Sequence, residues 1–335
     1  MMGFWLLFVA AAAVIGLAGP VLSRSASAIA DGTRMGQGWI GVILLATVTS
    51  LPELATGLSA VAYWYTPNIA VGDALVSCVF NLAILMVLDS MLRGAPLYTR
   101  AHHRHILSAA IGVILMGFAG LSLMISAAGT IPALGHVGIP SLIMAVLYVV
   151  GIRAVYVQER DGMQAVTAPD AAGDQDIELA AAYGRYALAA VAIVLAGVTL
   201  PYAGEAIAQE LGWNRTFVGT LLVAGATSLP ELAVAVAALR IGSLNLAVAG
   251  LLGSNMFNML ILAIEDAAYL KGPLLAHVSA AHAVSAMSAV VMTGLVITGL
   301  QYRQPRKIGN TVGWISMALF LIYLLNAYLA YLHGQ

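Results

Sequence analysis

The sequence predicts an all-α polytopic membrane protein of ten transmembrane helices, built as two inverted five-helix repeats. Three observations predict it. Apolar runs of about 20 residues, long enough to cross a bilayer, recur along the whole chain. The hexapeptide Thr-Ser-Leu-Pro-Glu-Leu occurs twice, at Thr49 to Leu54 and at Thr227 to Leu232, each time inside an apolar run. Each half holds five spans, and this odd number makes the second half enter the membrane upside down relative to the first.

The composition sets the environment. Of 335 residues, 61% are hydrophobic and 9% charged, against roughly a quarter charged in a soluble domain. A formal net charge of −1 gives nucleic acid nothing to bind. The single cysteine, Cys78, cannot form an internal disulfide and reads as a small buried apolar residue. No basic residue precedes the apolar run from Phe4 to Leu22 and no small-residue cleavage site follows it, so it reads as a first span and not as a signal peptide.

In order, the first half gives spans at Phe4 to Ala30, Gly38 to Tyr63, Ile69 to Met91, Ile106 to Ala128 and Gly138 to Tyr156. Arg24, inside the long first span, is expected to snorkel to the interface. The second half gives Tyr186 to Ala208, Thr216 to Leu239, Leu244 to Ala268, Ala276 to Leu300 and Val312 to Tyr331. The organisation is therefore a first repeat over 1–157, an acidic linker over 158–184 and a second repeat over 185–335.

Basic residues orient the chain. With the N-terminus outside, the inner loops hold Arg24, Arg34, Arg93, Arg100, Arg104, Arg153, Arg160, Arg185, Arg240, Arg303, Arg306 and Lys307, and the outer loops hold Arg215 and Lys271. Twelve against two predicts a multi-pass protein of the inner (plasma) membrane, with both termini outside and the linker in the cytoplasm. No Lys or Arg falls near the middle of a span.

The halves are copies. Gly19 matches Gly197, Gly41 matches Gly219 and Glu53 matches Glu231 at an offset of 178. After one residue is dropped, Ser77, Cys78 and Asn81 match Ser254, Asn255 and Asn258, and Asp89 matches Asp266, at 177. Inverted repeats with broken helices meeting near the midplane are a transporter architecture.

The hexapeptide carries the chemistry. Pro52 and Pro230 each remove an N–H and free the carbonyls of Val48 and Ala226. A carboxylate in the membrane costs about 2.5 to 3.5 kcal/mol on insertion scales, and Glu53 and Glu231 have no basic partner there. A bound proton or a bound cation can satisfy them. Thr49, Ser50, Thr227, Ser228, Ser77, Ser254, Asn81 and Asn258 offer oxygen ligands, with Ser77 and Asn81, like Ser254 and Asn258, on one helix face at a spacing of four. All-oxygen surroundings suit hard cations such as Ca²⁺ or Na⁺. Thiolate and imidazole are lacking there, which argues against zinc or copper.

With these two breaks, each followed by a polar third helix, the chain resembles the sodium/calcium exchanger family of the cation/calcium exchanger superfamily, in its prokaryotic type. The family marks are a Gly-Thr-Ser-x-Pro-Glu-like break and a Gly-Asn-x-x-Gly-Ser-Asn-x-x-Asn/Asp-like helix in each repeat. The resemblance implies a secondary antiporter that exchanges Ca²⁺ for Na⁺ by alternating access, with Glu53 and Glu231 shared between the ions. Thr49, Ser50, Thr227, Ser228, Ser77 and Ser254 would line adjoining ion sites, and the long first and sixth helices would slide against the core. A Ca²⁺/H⁺ exchanger using the same glutamates is the alternative. The implied partners are inorganic cations and the lipid bilayer, with no cofactor, no enzyme activity and a functional monomer. An intramembrane aspartyl protease finds one hint, Gly72-Asp73, and lacks the second aspartate motif. The chain departs from the family pattern at Val48 and Ala226, where glycine precedes Thr-Ser, at Asp73, Val76 and Cys78 of the first copy, and at Asn258, where some prokaryotic members carry aspartate.

Asp73 lies four residues before Ser77 on the same helix face, toward the outer side, and is expected to draw cations into a vestibule. Asp89 and Asp266 are expected as solvated helix-end carboxylates, and His102, His103 and His105 as a solvated basic loop.

Overall fold

The computed structural model describes residues 2–33, 35–129, 131–164, 174–210, 223–303, 306–309 and 311–333. Arg34 and Arg215 of the charge count, residues 216–222 of the seventh span and residues 165–173 of the linker lie outside these. The chain is a helical bundle. Its long helices are α1 (Met2–Gly32), α2 (Gln37–Thr49), α3 (Leu51–Ala62), α4 (Pro67–Met91), α5 (His105–Ala128), α6 (Ile139–Gln164) and α7 (Asp174–Glu210). They are followed by α8 (Val223–Thr227), α9 (Leu229–Arg240), α10 (Leu244–Ala268), α11 (His282–Tyr302) and α12 (Trp314–His333). Among the described residues, seven helices are long and apolar enough to cross a membrane, and the bent pair α2 and α3 makes an eighth.

Burial sorts the helices into centre and rim. The most apolar stretches of α4 and α10 are 78% and 83% buried, whereas those of α1, α6 and α7 are about a third buried or less. Large apolar side chains such as Leu17, Val146 and Leu188 stand exposed on these outer helices, as lipid-facing positions must. Tyr63, Trp64 and Tyr65 cluster exposed where α3 ends, an interfacial aromatic belt. Arg24 is exposed on α1, as its snorkelling requires.

Small residues bring the backbones together. A Cβ at Gly253 of α10 would come within 2.6 Å of the Val42 Cα, so α2 crosses α10 in backbone contact. Just before the break, α2 widens into a π turn over Gly41–Leu45. The outer helices α1 and α7 pair along each other.

Four expectations change. The stretch 158–184 is helical over 158–164 and 174–184, because α6 and α7 run several turns past their apolar cores. The ninth span begins at His282 and not at Ala276, since Leu274–His277 forms a separate 3₁₀ turn. Asp89 and Asp266 are fully buried, not solvated. Asp89 accepts from the Leu97 and Gly313 N–H groups at 2.7 and 2.6 Å and from the Ser316 hydroxyl at 2.7 Å, with Lys307 Nζ 3.6 Å away. Asp266 accepts from the Leu274 and Gly138 N–H groups at 2.5 and 2.8 Å. Each aspartate thus ties the end of a central helix to a residue eight positions on and to the start of the last helix of the other half.

The histidine loop changes too. His105 is buried and its Nε2 lies 3.1 Å from Asn245 Oδ1, which also accepts from the His102 N–H at 2.9 Å. Asn68 does the same at the other end of the bundle, accepting from the Ser279 N–H at 2.8 Å, with His282 Nε2 at 3.1 Å. The two latches are related by the offset of 177.

Candidate functional site

Proline dictates where the broken helices restart. Pro52 and Pro230 sit in the first turn of α3 and α9, where the missing N–H has no helical partner to lose. The chain breaks two residues before each proline, at Ser50 (φ −92°, ψ 5°) and Ser228 (φ −84°, ψ 3°), and α2 and α3 meet at 43°. Glu53 and Glu231 follow in the first turn, where the positive end of the helix dipole favours a carboxylate.

The two breaks interlock. Ser50 Oγ donates to Glu231 Oε1 at 3.0 Å, and Ser228 Oγ donates to Glu53 Oε1 at 3.3 Å. Each break therefore holds the glutamate of the other. Ser254 Oγ also reaches Glu231 Oε1 at 3.4 Å and lies 3.4 Å from Thr49 Oγ1. Ser77 Oγ is 3.1 Å from Ser228 Oγ. Thr49 donates to the Leu45 carbonyl at 2.9 Å, and Thr227 to the Ala224 carbonyl and to Asp73 Oδ1, both at 3.0 Å.

Amides close the centre between α4 and α10. Asn81 Nδ2 donates to Asn255 Oδ1 at 3.1 Å, Asn255 Nδ2 to the Cys78 carbonyl at 3.2 Å and Asn258 Nδ2 to the Ala74 carbonyl at 3.4 Å. With the amide nitrogens turned outward in this way, Asn81 Oδ1 and Asn258 Oδ1 stay buried without a hydrogen-bond partner, as do Glu53 Oε2 and Glu231 Oε2. Orphaned buried oxygens are costly and need an explanation. Two carboxylate and two amide oxygens, beside hydroxyls, are the kind of donor a hard cation prefers.

Of the ten residues singled out in the sequence as ion ligands, Thr49, Ser50, Glu231 and Ser254 are joined in one hydrogen-bonded group and Glu53, Ser77 and Ser228 in another, Thr227 precedes Ser228 in the chain, and Asn81 and Asn258 lie in the amide layer between α4 and α10. Asp73 joins them through Thr227. Cys78 is buried, as expected, with its thiol 3.8 Å from the Asn255 carbonyl. The sequence had paired Asn255 only with Cys78 as a repeat match and gave it no role, although its place in the Gly-Ser-Asn motif was the available signal. A narrow cavity lined by Leu45, Val234, Ala235, Ala247 and Gly250 reaches Thr49 and Glu231.

A lipid-facing helical shell around two interlocked helix breaks, with a buried all-oxygen centre, defines a multi-pass membrane transporter. The chain belongs to the sodium/calcium exchanger protein family, whose model matches residues 3–157 and 182–329. It is 28% identical over 229 residues to the inner membrane protein YrbG of Escherichia coli (strain K12), a match spanning 66% of each chain and so just under two thirds of that relative's length. It is 25% identical over 285 residues, 84% of each chain, to the uncharacterized membrane protein MJ0091 of Methanocaldococcus jannaschii. The fold matches the solved sodium-calcium exchanger NCX_Mj soaked with 2.5 mM Na⁺ and 1 mM Sr²⁺, with a TM-score of 0.73, 18% identity and 96% of both chains covered. Against the same exchanger soaked with 10 mM Na⁺ and zero Ca²⁺ the TM-score is 0.72, with 97% of this chain and 96% of that one covered.

Proposed function

We propose that this protein is a secondary cation antiporter that exchanges Ca²⁺ for Na⁺ by alternating access. Its ten spans form two inverted repeats, 1–157 and 185–335, joined by a cytoplasmic segment over 158–184, with both termini outside. The observation that carries the reading is the reciprocal pair of bonds from Ser50 to Glu231 and from Ser228 to Glu53. A cation leaving this centre must be released by both breaks at once.

The two glutamates are the only carboxylates among the ten ligands, so their charge matches one Ca²⁺ or two Na⁺. Thr49, Ser50, Ser77, Asn81, Thr227, Ser228, Ser254 and Asn258 add neutral oxygens around them. Competition for one pair of charges makes the ions take turns. Once loaded, the centre is neutral enough to pass an apolar barrier, since an uncompensated carboxylate pair in the membrane is heavily penalised. Exchange of this kind needs no enzyme chemistry and no cofactor. The functional unit in this reading is the monomer.

The coupling ion is tested with ⁴⁵Ca²⁺ uptake into vesicles containing the purified protein. Uptake is expected to follow an imposed Na⁺ gradient at constant pH and to be absent without Na⁺. Uptake that tracks a pH gradient with no Na⁺ present would replace this reading with Ca²⁺/H⁺ exchange by the same glutamates.

A further inference from the structure

A second pair of buried carboxylates lies beside the proposed exchange site and is not used by it. Glu265, near the end of α10, is 1% exposed, and neither of its carboxylate oxygens has a hydrogen-bond partner. Gly57 of α3 makes room for it: a Cβ there would overlap Glu265 Oε1. Gly57 stands one turn after Glu53 on α3, so Glu265 packs one turn from the break, and Asp73 of α4, itself 1% exposed, reaches the same region. Asp73 Oδ1 is engaged by Thr227, and its Oδ2 is without a partner. Thr227 is the chain neighbour of Ser228, which donates to Glu53. Glu265, Asp73 and Glu53 therefore form a line of buried carboxyl groups from the end of α10 to the helix breaks.

Packing does not require this line. The repeat-related positions of Glu265, Asp73 and Gly57 are Leu88, Gly250 and Ala235, which serve the opposite face of the bundle with apolar side chains or none. The fold accepts apolar residues at these places, so the two acids are an addition on one side only. A buried carboxylate without a partner is strongly penalised, and two neighbouring ones more so. Three oxygens of the two acids are buried here without a hydrogen-bond partner.

We propose that Asp73 and Glu265 form a second site for a hard divalent cation, on the side of the membrane where Tyr63 ends α3. Asp73 Oδ2 and both Glu265 oxygens would bind the ion, with water completing the six to eight oxygens that Ca²⁺ prefers. One divalent ion neutralises the pair. Because Thr227 bonds Asp73 and its neighbour Ser228 bonds Glu53, an ion held here stands one residue from the exchange site. The opposite face has no such pair, so the two faces should differ in cation affinity. The site is independent of which ion drives exchange.

Equilibrium ⁴⁵Ca²⁺ binding to the full chain in lipid nanodiscs tests it, starting from the double variant Glu53→Gln/Glu231→Gln. That double variant is expected to keep one Ca²⁺ per chain. Adding Glu265→Gln, or separately Asp73→Asn, should weaken the remaining binding by about tenfold or more. Both substitutions keep the side-chain shape, and an unchanged size-exclusion profile certifies the fold. Excess Na⁺ at constant ionic strength should displace this Ca²⁺ only weakly if the pair prefers a divalent ion. If the double variant binds no Ca²⁺, or binds it equally well after both further substitutions, the proposal is wrong, while loss of Na⁺-driven uptake in the double variant would still stand as a separate result.

Discussion

Cys78 and Asn255 occupy equivalent places in the two halves, and each donates to the other's backbone carbonyl: Asn255 Nδ2 to Cys78 O at 3.2 Å, Cys78 Sγ to Asn255 O at 3.8 Å. The contact lies where α4 and α10 cross, beside the amides that face the candidate ion site. Asn255 is the stronger member, because its Oδ1 also accepts from Asn81.

Replacing Asn255 by alanine should therefore damage more than packing. It leaves Asn81 Nδ2 unpaired in a dry centre, at a cost of about 1 to 3 kcal/mol, and removes the second bond to the Cys78 carbonyl, which keeps only its helical partner. Thermal unfolding in detergent is expected to move down clearly. Cys78→Ser, which keeps a donor of similar size, should shift it far less.

Asp89 and Asp266 make a paired prediction. Asp89→Ala orphans two N–H groups and a hydroxyl and leaves the buried ammonium of Lys307, which keeps its three carbonyl partners, without a counter-charge, and removing one partner of a buried ion pair costs about 3 to 5 kcal/mol. Asp266→Ala orphans only two N–H groups. The same unfolding measurement should rank Asp89→Ala as the more damaging variant.

Gly197 of α7 tests the contact between an outer helix and the breaks. A Cβ there would come within 3.1 Å of Pro52 Cβ and 3.5 Å of Pro230 Cγ, and would overlap Pro52 Cγ. Proline rings cannot swing aside, so Gly197→Val should add about 1 to 3 kcal/mol of overpacking. If α7 moves past the breaks during exchange, ⁴⁵Ca²⁺ uptake should slow by about tenfold while Ca²⁺ binding is retained. Equal uptake in variant and parent would separate α7 from the transport cycle.

The sequence made the site legible because its chemistry is repeated. Two copies of one hexapeptide, each in an apolar run, revealed both glutamates, both prolines and the serines that join them, and the third-helix motifs supplied Ser77, Ser254, Asn81 and Asn258. Residues whose role depends on the other end of the chain were harder to read. Asp89 looks like a helix-end carboxylate until Gly313 and Lys307 are seen folded against it, more than two hundred positions away. His105 looks like part of a basic loop until Asn245 meets it. Glu265 has no motif and an apolar repeat mate, Leu88, so nothing along the chain separates it from its neighbour Asp266.

The central claim is that Glu53 and Glu231 serve one ion site and not two. Na⁺-driven ⁴⁵Ca²⁺ uptake in vesicles, compared for Glu53→Gln, Glu231→Gln and the double variant, tests it most directly. A shared site predicts that each single substitution removes nearly all exchange, about a hundredfold or more, and that the double variant is no worse. Two independent sites would leave a large fraction of the uptake in each single variant and lose it only in the double, and that result would contradict the account.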